Sequence, residues 1–177
     1  MRAAVAAGAG LINDVGALQA EGAVATAAAL GVPVCLMHMQ GLPDTMQENP
    51  EYTDVVGEVA GFLLARAEAC TAAGIPAGRI LVDPGFGFGK TVEHNLQLLH
   101  HLDRLVTRGY PVVVGLSRKS LIGKVLDLAV DNRLYPGIAL AVLAAWQGAA
   151  VIRSHDVRET VEAVRMCQAV RTVGNNI

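Results

Sequence analysis

Apolar residues gather along the chain into five short runs, Leu11–Val15, Val34–Met37, Ile80–Val82, Val112–Leu116 and Ala150–Ile152, each bounded by Gly, Pro or Asp. The runs are rich in Val, Ile and Leu and do not alternate with polar residues, which is the pattern of strands covered on both faces in a parallel sheet. Between them lie stretches of helical character, roughly 21–30, 54–73, 92–107, 137–147 and 157–172. Gly31, Gly74 and Gly109 fall where a helix end accepts a positive φ. The alternation predicts an α/β fold with right-handed crossovers. No repeat, low-complexity tract or linker divides the 177 residues, so a single domain is expected.

Composition sharpens this in three ways. The 53% hydrophobic content and mean hydropathy of +0.41 are high and owe much to alanine, which suits helices packed closely on a buried sheet. A net charge of −2 without a basic run argues against a nucleic-acid partner. Cys35, Cys70 and Cys167 lie far apart with no C-x-x-C, as expected of buried thiols in a reducing compartment such as the cytoplasm. The uncharged run from Leu134 to Ile152 approaches bilayer length, but Pro136-Gly137 and Gln147-Gly148 interrupt it. A buried helix followed by a strand is the expectation, with no membrane partner. The opening MRAAVAAGAG reads as the end of a helix rather than a signal peptide.

Polar residues close every apolar run: Asn13-Asp14, His38, Asp83, Ser117-Arg118-Lys119-Ser120 and Arg153-Ser154-His155-Asp156. In a parallel sheet the C-terminal strand ends share one rim, where such folds place their sites. Asp14 and Asp156 also have a plain role open to them as helix N-caps, favoured for Asp156. An amide, an acid, several cations and a histidine suit a flat hydrogen-bonding heterocycle joined to an anionic group.

The stretch LVDPGFGFGKT, residues 81–91, looks like a nucleotide-binding P-loop but is not one. Gly89-Lys90-Thr91 supplies the tail of that pattern, yet Pro84 stands where its first glycine belongs. Proline has no N–H to turn toward a phosphate. Lys90 could be a solvated or supporting charge, or a functional one.

The segments LINDV, VCLMHMQGLPDTMQ, LVDPGFGFGKTVEHN, VVVGLSRKSLIG and IRSHDVRETVEA together resemble, in order and spacing, the C-terminal five-eighths of the dihydropteroate synthase family. The resemblance runs over nearly the whole chain. It implies a partial (β/α)8 TIM-type barrel, strands 4–8 with their helices, forming a pterin-binding domain over 1–177 that is incomplete at its N-terminus. The activity implied is transfer of a 6-hydroxymethyl-7,8-dihydropterin from its diphosphate to 4-aminobenzoate, in folate biosynthesis, with Mg2+ as cofactor and sulfonamides as competitors.

The same resemblance implies roles residue by residue. Asn13, Met37, Asp83, Lys119 and Arg153 would bind the pterin, with Asp83 accepting from adjacent donors as an ionised carboxylate can. Phe88, Lys119 and Ser120 would form the aminobenzoate site, and Arg153, Ser154 and His155 the diphosphate site. Lys119, Arg153 and His155 would be catalytic, His155 either as a protonated donor or as a neutral hydrogen-bonding ring. No metal ligand is expected in this chain. The family's last helices form a dimer interface, and the apolar helix at 137–147 is compatible with one.

A full barrel of this type needs about 250 residues, and the family's first three strands have no counterpart here. The expectation is a fragment that is inactive or weakly active alone, with unpaired edges at 11–15 and 150–152. Three other readings share some features: a pterin-binding methyltransferase domain, a non-catalytic pterin-binding relative, and an unrelated phosphate-binding barrel. SRKS argues against the first, and the pairing of Asn13 with Asp83 argues against the last.

Overall fold

A computed structural model describes residues 1–174 of the chain. Five parallel strands follow one another in chain order: β1 (Ile12–Asp14), β2 (Val34–Met37), β3 (Ile80–Asp83), β4 (Val113–Val114) and β5 (Val151–Ile152). β1, β2 and β3 form one ladder and β4 and β5 a second. A bridge between Val82 and Val112, with the Val82 N–H donating to Pro111 O at 3.0 Å, joins the two. The fourth strand is shorter than its apolar run. Pro111 has no donor to offer a neighbour, and beyond Val114 the chain turns back, with Lys119 N–H on Leu116 O at 3.3 Å.

The helices are α1 (Arg2–Ala6), α2 (Ala23–Leu30), α3 (Val55–Ala72), α4 (Val92–His100), α5 (Asp103–Val106), α6 (Ser120–Leu126), α7 (Leu134–Trp146) and α8 (Val157–Gly174). Local chemistry sets several of their ends. Asp54 caps α3 by accepting from Gly57 N–H, and a reciprocal Thr91–His94 pair caps α4. The single helix expected over 92–107 is two, broken at His101–Leu102. α7 starts at Leu134, ahead of the expected 137, because Pro136 falls in the first turn, where a missing N–H costs nothing. The sequence reading did not anticipate α6.

Successive residues of a strand face opposite ways. Ile12, Val34, Leu36, Ile80, Val82 and Val114 enter the two apolar clusters beneath the helices. Their neighbours Asn13, Cys35, Met37, Asp83 and Arg153 therefore share the other face. The runs predicted strands covered on both sides. That holds for β2, β3 and β4, which are buried on both faces, whereas Asn13 on β1 and Val151 and Arg153 at β5 are exposed. All three cysteines are free and buried. None of the described helices is long and apolar enough to cross a membrane.

Candidate functional site

β3 delivers its terminal acid into the interior. Asp83 is 5% exposed, sits opposite Met37 in the ladder, and accepts a bond from Gly85 N–H at 2.7 Å. Burial pushes its carboxyl above the usual carboxylate range, and the Gly85 N–H and the charges of Lys119, Arg153 and Lys90 oppose that rise. Three cations from three different loops thus surround one acid.

The glycine loop that follows is pressed against the loop after β2. Gly85 (φ 67°) and Gly89 (φ 61°) lie so close to the carbonyl oxygens of His38 and Gln40 that a Cβ at either would collide with them. That is why the stretch alternates glycines: the backbone needs both the left-handed turn and the close approach. The phenylalanines between them split in direction. Phe86 is buried in the larger apolar cluster, whereas Phe88 is half-buried and carries the ammonium of Lys119 at 4.8 Å from its ring centroid.

Lys119 reaches this loop from the other side, donating to the Phe86 carbonyl. Desolvation lowers its pKa to about 8, against the pull of Asp83 and with help from Arg153. The turn that aims it holds Arg118 at φ 57°, and Arg133 secures that turn by donating to the carbonyls of Arg118 (3.0 Å) and Lys119 (3.4 Å). Ser120 opens α6 and is exposed beside it.

Just past β5, the Arg153 N–H donates to Val114 O at 2.8 Å, and its guanidinium lies over Gly115, about 3.0 Å from where a Cβ would be. The His155 backbone N–H and Nδ1 both meet the Ser117 hydroxyl at 3.1 Å, which leaves Nε2 for a ligand. Ser154 is turned away: its hydroxyl donates to Thr160 Oγ1 (2.8 Å) and accepts from Asp156 N–H (3.2 Å) at the start of α8. Asp156 precedes that helix, but its carboxylate takes both Nη2 (2.5 Å) and Nε (3.2 Å) of Arg118. The favoured expectation of a capping side chain is thus replaced by a bidentate link between the loops after β4 and β5. Asp14 does act locally, accepting from Leu18 N–H at 2.7 Å.

Asn13, Met37, Asp83, Lys119, Arg153 and His155 therefore occupy the strand ends of one rim, open at Asn13 and Arg153 and closed over Asp83. Sequence reading missed the depth of Lys90. It is 3% exposed, not solvated, and its ammonium meets His38 Nδ1 (2.9 Å), Gly85 O (3.1 Å) and Phe88 O (3.0 Å). The parts played by Ser117 and Arg133 also went unread. Among the described residues no three carboxylate, histidine or cysteine side chains gather to hold a divalent cation.

Known proteins share this fold. Dihydropteroate synthase of Escherichia coli is 47% identical over 176 residues, 99% of this chain and 62% of that protein. The Yersinia pestis dihydropteroate synthase crystal structure with a sulfonamide drug complex superposes with a TM-score of 0.93 at 49% identity, over 96% of this chain and 62% of that one. Dihydropteroate synthase from Xanthomonas albilineans in complex with 7,8-dihydropteroate gives 0.89 at 50% identity, again over 96% and 62%. The chain thus spans about three-fifths of the length of these relatives. A family model described as pterin binding enzyme matches residues 1–155. With this match over most of its length and the buried acid of β3 set among the cations of the strand ends, the chain belongs to the family of pterin binding enzymes.

Proposed function

We propose that the chain carries the substrate face of a dihydropteroate synthase, corresponding to strands 4–8 of a TIM-type barrel in one pterin-binding domain. The observation that carries the reading is Asp83: a buried carboxylate at a strand end, ringed by Lys119, Arg153 and Lys90. Ionised, it is acceptor-only and matches the adjacent 2-amino and N3–H donors of a pterin. Asn13 would bond the ring edge and Met37 line the slot, with Arg153 against the ring face. Lys119, Phe88 and Ser120 would take 4-aminobenzoate, its carboxylate at the Ser120 hydroxyl.

The reaction is a substitution at the pterin's exocyclic methylene. The aniline nitrogen forms the new C–N bond, the C–O bond to diphosphate breaks, and the nitrogen gives up one proton. Negative charge grows on the departing oxygen, so Arg153 and His155 would act where it develops, with Ser154 contributing its backbone. Asp83 and Lys119 fix the two partners at bonding distance. Mg2+ would neutralise the leaving diphosphate in the whole enzyme, through ligands beyond those described.

The reading also includes a cytoplasmic enzyme, in keeping with three free thiols. It includes a homodimer joined through α7 and α8, whose Leu143, Trp146, Met166 and Val170 are exposed. Incubating the chain with 6-hydroxymethyl-7,8-dihydropterin diphosphate and 4-aminobenzoate, and measuring dihydropteroate and released diphosphate, tests the function. Formation of both supports it. Binding of methyltetrahydrofolate without 4-aminobenzoate would move the chain to a methyltransferase role, and binding of pterin without turnover to a non-catalytic one.

A further inference from the structure

Lys90 and His38 are buried, titratable and in contact, and the proposed chemistry gives neither side chain a direct part. Three acceptors surround Lys90 Nζ, one for each N–H of an ammonium: the ring nitrogen of His38, Gly85 O and Phe88 O. Donation to His38 Nδ1 fixes that ring as the Nε2–H tautomer. The ring itself is wedged edge-on against Phe62, with centroids 5.0 Å apart, and tilted against Tyr52 at 6.1 Å. His38 is therefore an anchored acceptor, tied to β3 through its own N–H on Asp83 O at 3.0 Å.

The two carbonyls held by Lys90 bracket the part of the loop that meets the ligand groups. Gly85 supplies the N–H on Asp83. Phe86 supplies the carbonyl that receives Lys119, and Phe88 supplies the ring beneath it. Asn95 works from the opposite side, accepting from Gly87 N–H at 2.7 Å and donating to Thr91 O at 2.5 Å. A loop with three left-handed glycines has many conformations open to it when unrestrained. Holding it in one shape takes bonds of this strength.

We propose that Lys90 and His38 form a positioning pair that staples the glycine loop to the end of β2 and so presents the Phe86 carbonyl and Phe88 ring to Lys119. The pair acts through Lys119 and Asp83 rather than on substrate. The inference rests on the proposed function only in naming what the rim binds, because the state of Lys119 can be read without ligand.

The chain has three lysines, Lys90, Lys119 and Lys124, so their ε-methylene signals can be followed individually by NMR as pH rises, with Lys124→Arg as the assignment control. In the unaltered protein, burial should bring the Lys119 midpoint down to about 8. His38→Leu removes the anchor but keeps the Lys90 charge. Its expected result is a rise of Lys119 toward the ordinary 10.5 as the loop loosens and water enters. His38→Asn offers a side-chain carbonyl in place of Nδ1 and keeps Lys119 near 8. Lys90→Met should behave like His38→Leu, and if it fails to fold the two His38 variants decide alone. Binding supplies the second readout: 4-aminobenzoate affinity should fall about tenfold in His38→Leu, the worth of one charge-assisted hydrogen bond, and recover in His38→Asn. Lys119 titrating alike in all folded variants would overturn the pair's role. If the unaltered protein binds neither 4-aminobenzoate nor a pterin, the functional reading fails, while the Lys119 titration still decides this inference.

Discussion

His38 should make the fold acid-labile in a window that one substitution removes. Burial, reinforced by the neighbouring Lys90 ammonium, lowers the His38 pKa from 6.5 to about 3. The unfolded chain takes up a proton at this residue near pH 6.5 and the folded chain only near 3. Between those values the unfolded state binds more protons, so stability falls as the pH falls. At pH 5 the protonated form of an unfolded histidine outweighs the neutral one by about 30 to one, which through RT ln 30 costs about 2 kcal/mol relative to pH 7. That is a substantial part of the ~5–15 kcal/mol typical of a domain. With a urea m-value of about 2 kcal/mol/M, the unfolding midpoint should drop by about 1 M. Lys90, lowered from 10.5 to about 7 by its own burial, exerts its effect mainly between those two values, above the window of His38. The comparison that isolates His38 is therefore the pH 7 to pH 5 loss in the unaltered protein minus the same loss in His38→Asn, which keeps an acceptor for Lys90. The difference should be about 2 kcal/mol. Equal losses in the two proteins would refute the argument that a neutral, anchored imidazole sits beneath the glycine loop.

Three further outcomes follow from the geometry. Gly85→Ala should destabilise by about 3 kcal/mol or more in thermal melts, because its Cβ meets the His38 carbonyl, whereas Gly74→Ala, equally left-handed but with open space around it, should cost about 1 kcal/mol. Asp83→Asn should lower the affinity for 6-hydroxymethylpterin by about 10- to 100-fold in a fluorescence titration, while leaving the fold intact, since an amide cannot accept from two adjacent donors as a carboxylate does. A double-mutant cycle on Arg118→Ala and Asp156→Ala, followed by melting temperature, should give a small coupling that vanishes by about 0.5 M salt, as for other exposed pairs.

What could be read from the sequence was whatever depends on neighbours along the chain. The strands were legible because Val, Ile and Leu cluster between glycine and proline breaks. The rim was legible because every parallel strand ends on the same side. Asn13, Asp83 and Arg153 share that side in the structure, by the two-residue period of their strands. What remained hidden was set across the fold. Lys90 looks like a surface charge after a glycine run, and only His38, 52 residues away, makes it an interior one. Asp156 looks like a helix cap until Arg118, 38 residues earlier, claims its carboxylate. The exposure of the outer strands was hidden for another reason: Val151 on β5 is as apolar as the buried Val113 beside it, so composition does not separate an edge from the centre.

The tight seating of the loop after β3 also bears on how such a protein can evolve. At Gly85 and Gly89 the carbonyls of His38 and Gln40 crowd the space a side chain would need, so every replacement at those codons carries a heavy stability cost. Gly87 meets nothing nearer than the Lys119 Cδ, 3.5 Å from its would-be Cβ, and at φ 79° asparagine or aspartate fits least badly. A lineage pressed to reshape what this rim accepts therefore has two places to try in this stretch, Gly87 and Phe88, and either change lands beside the same lysine.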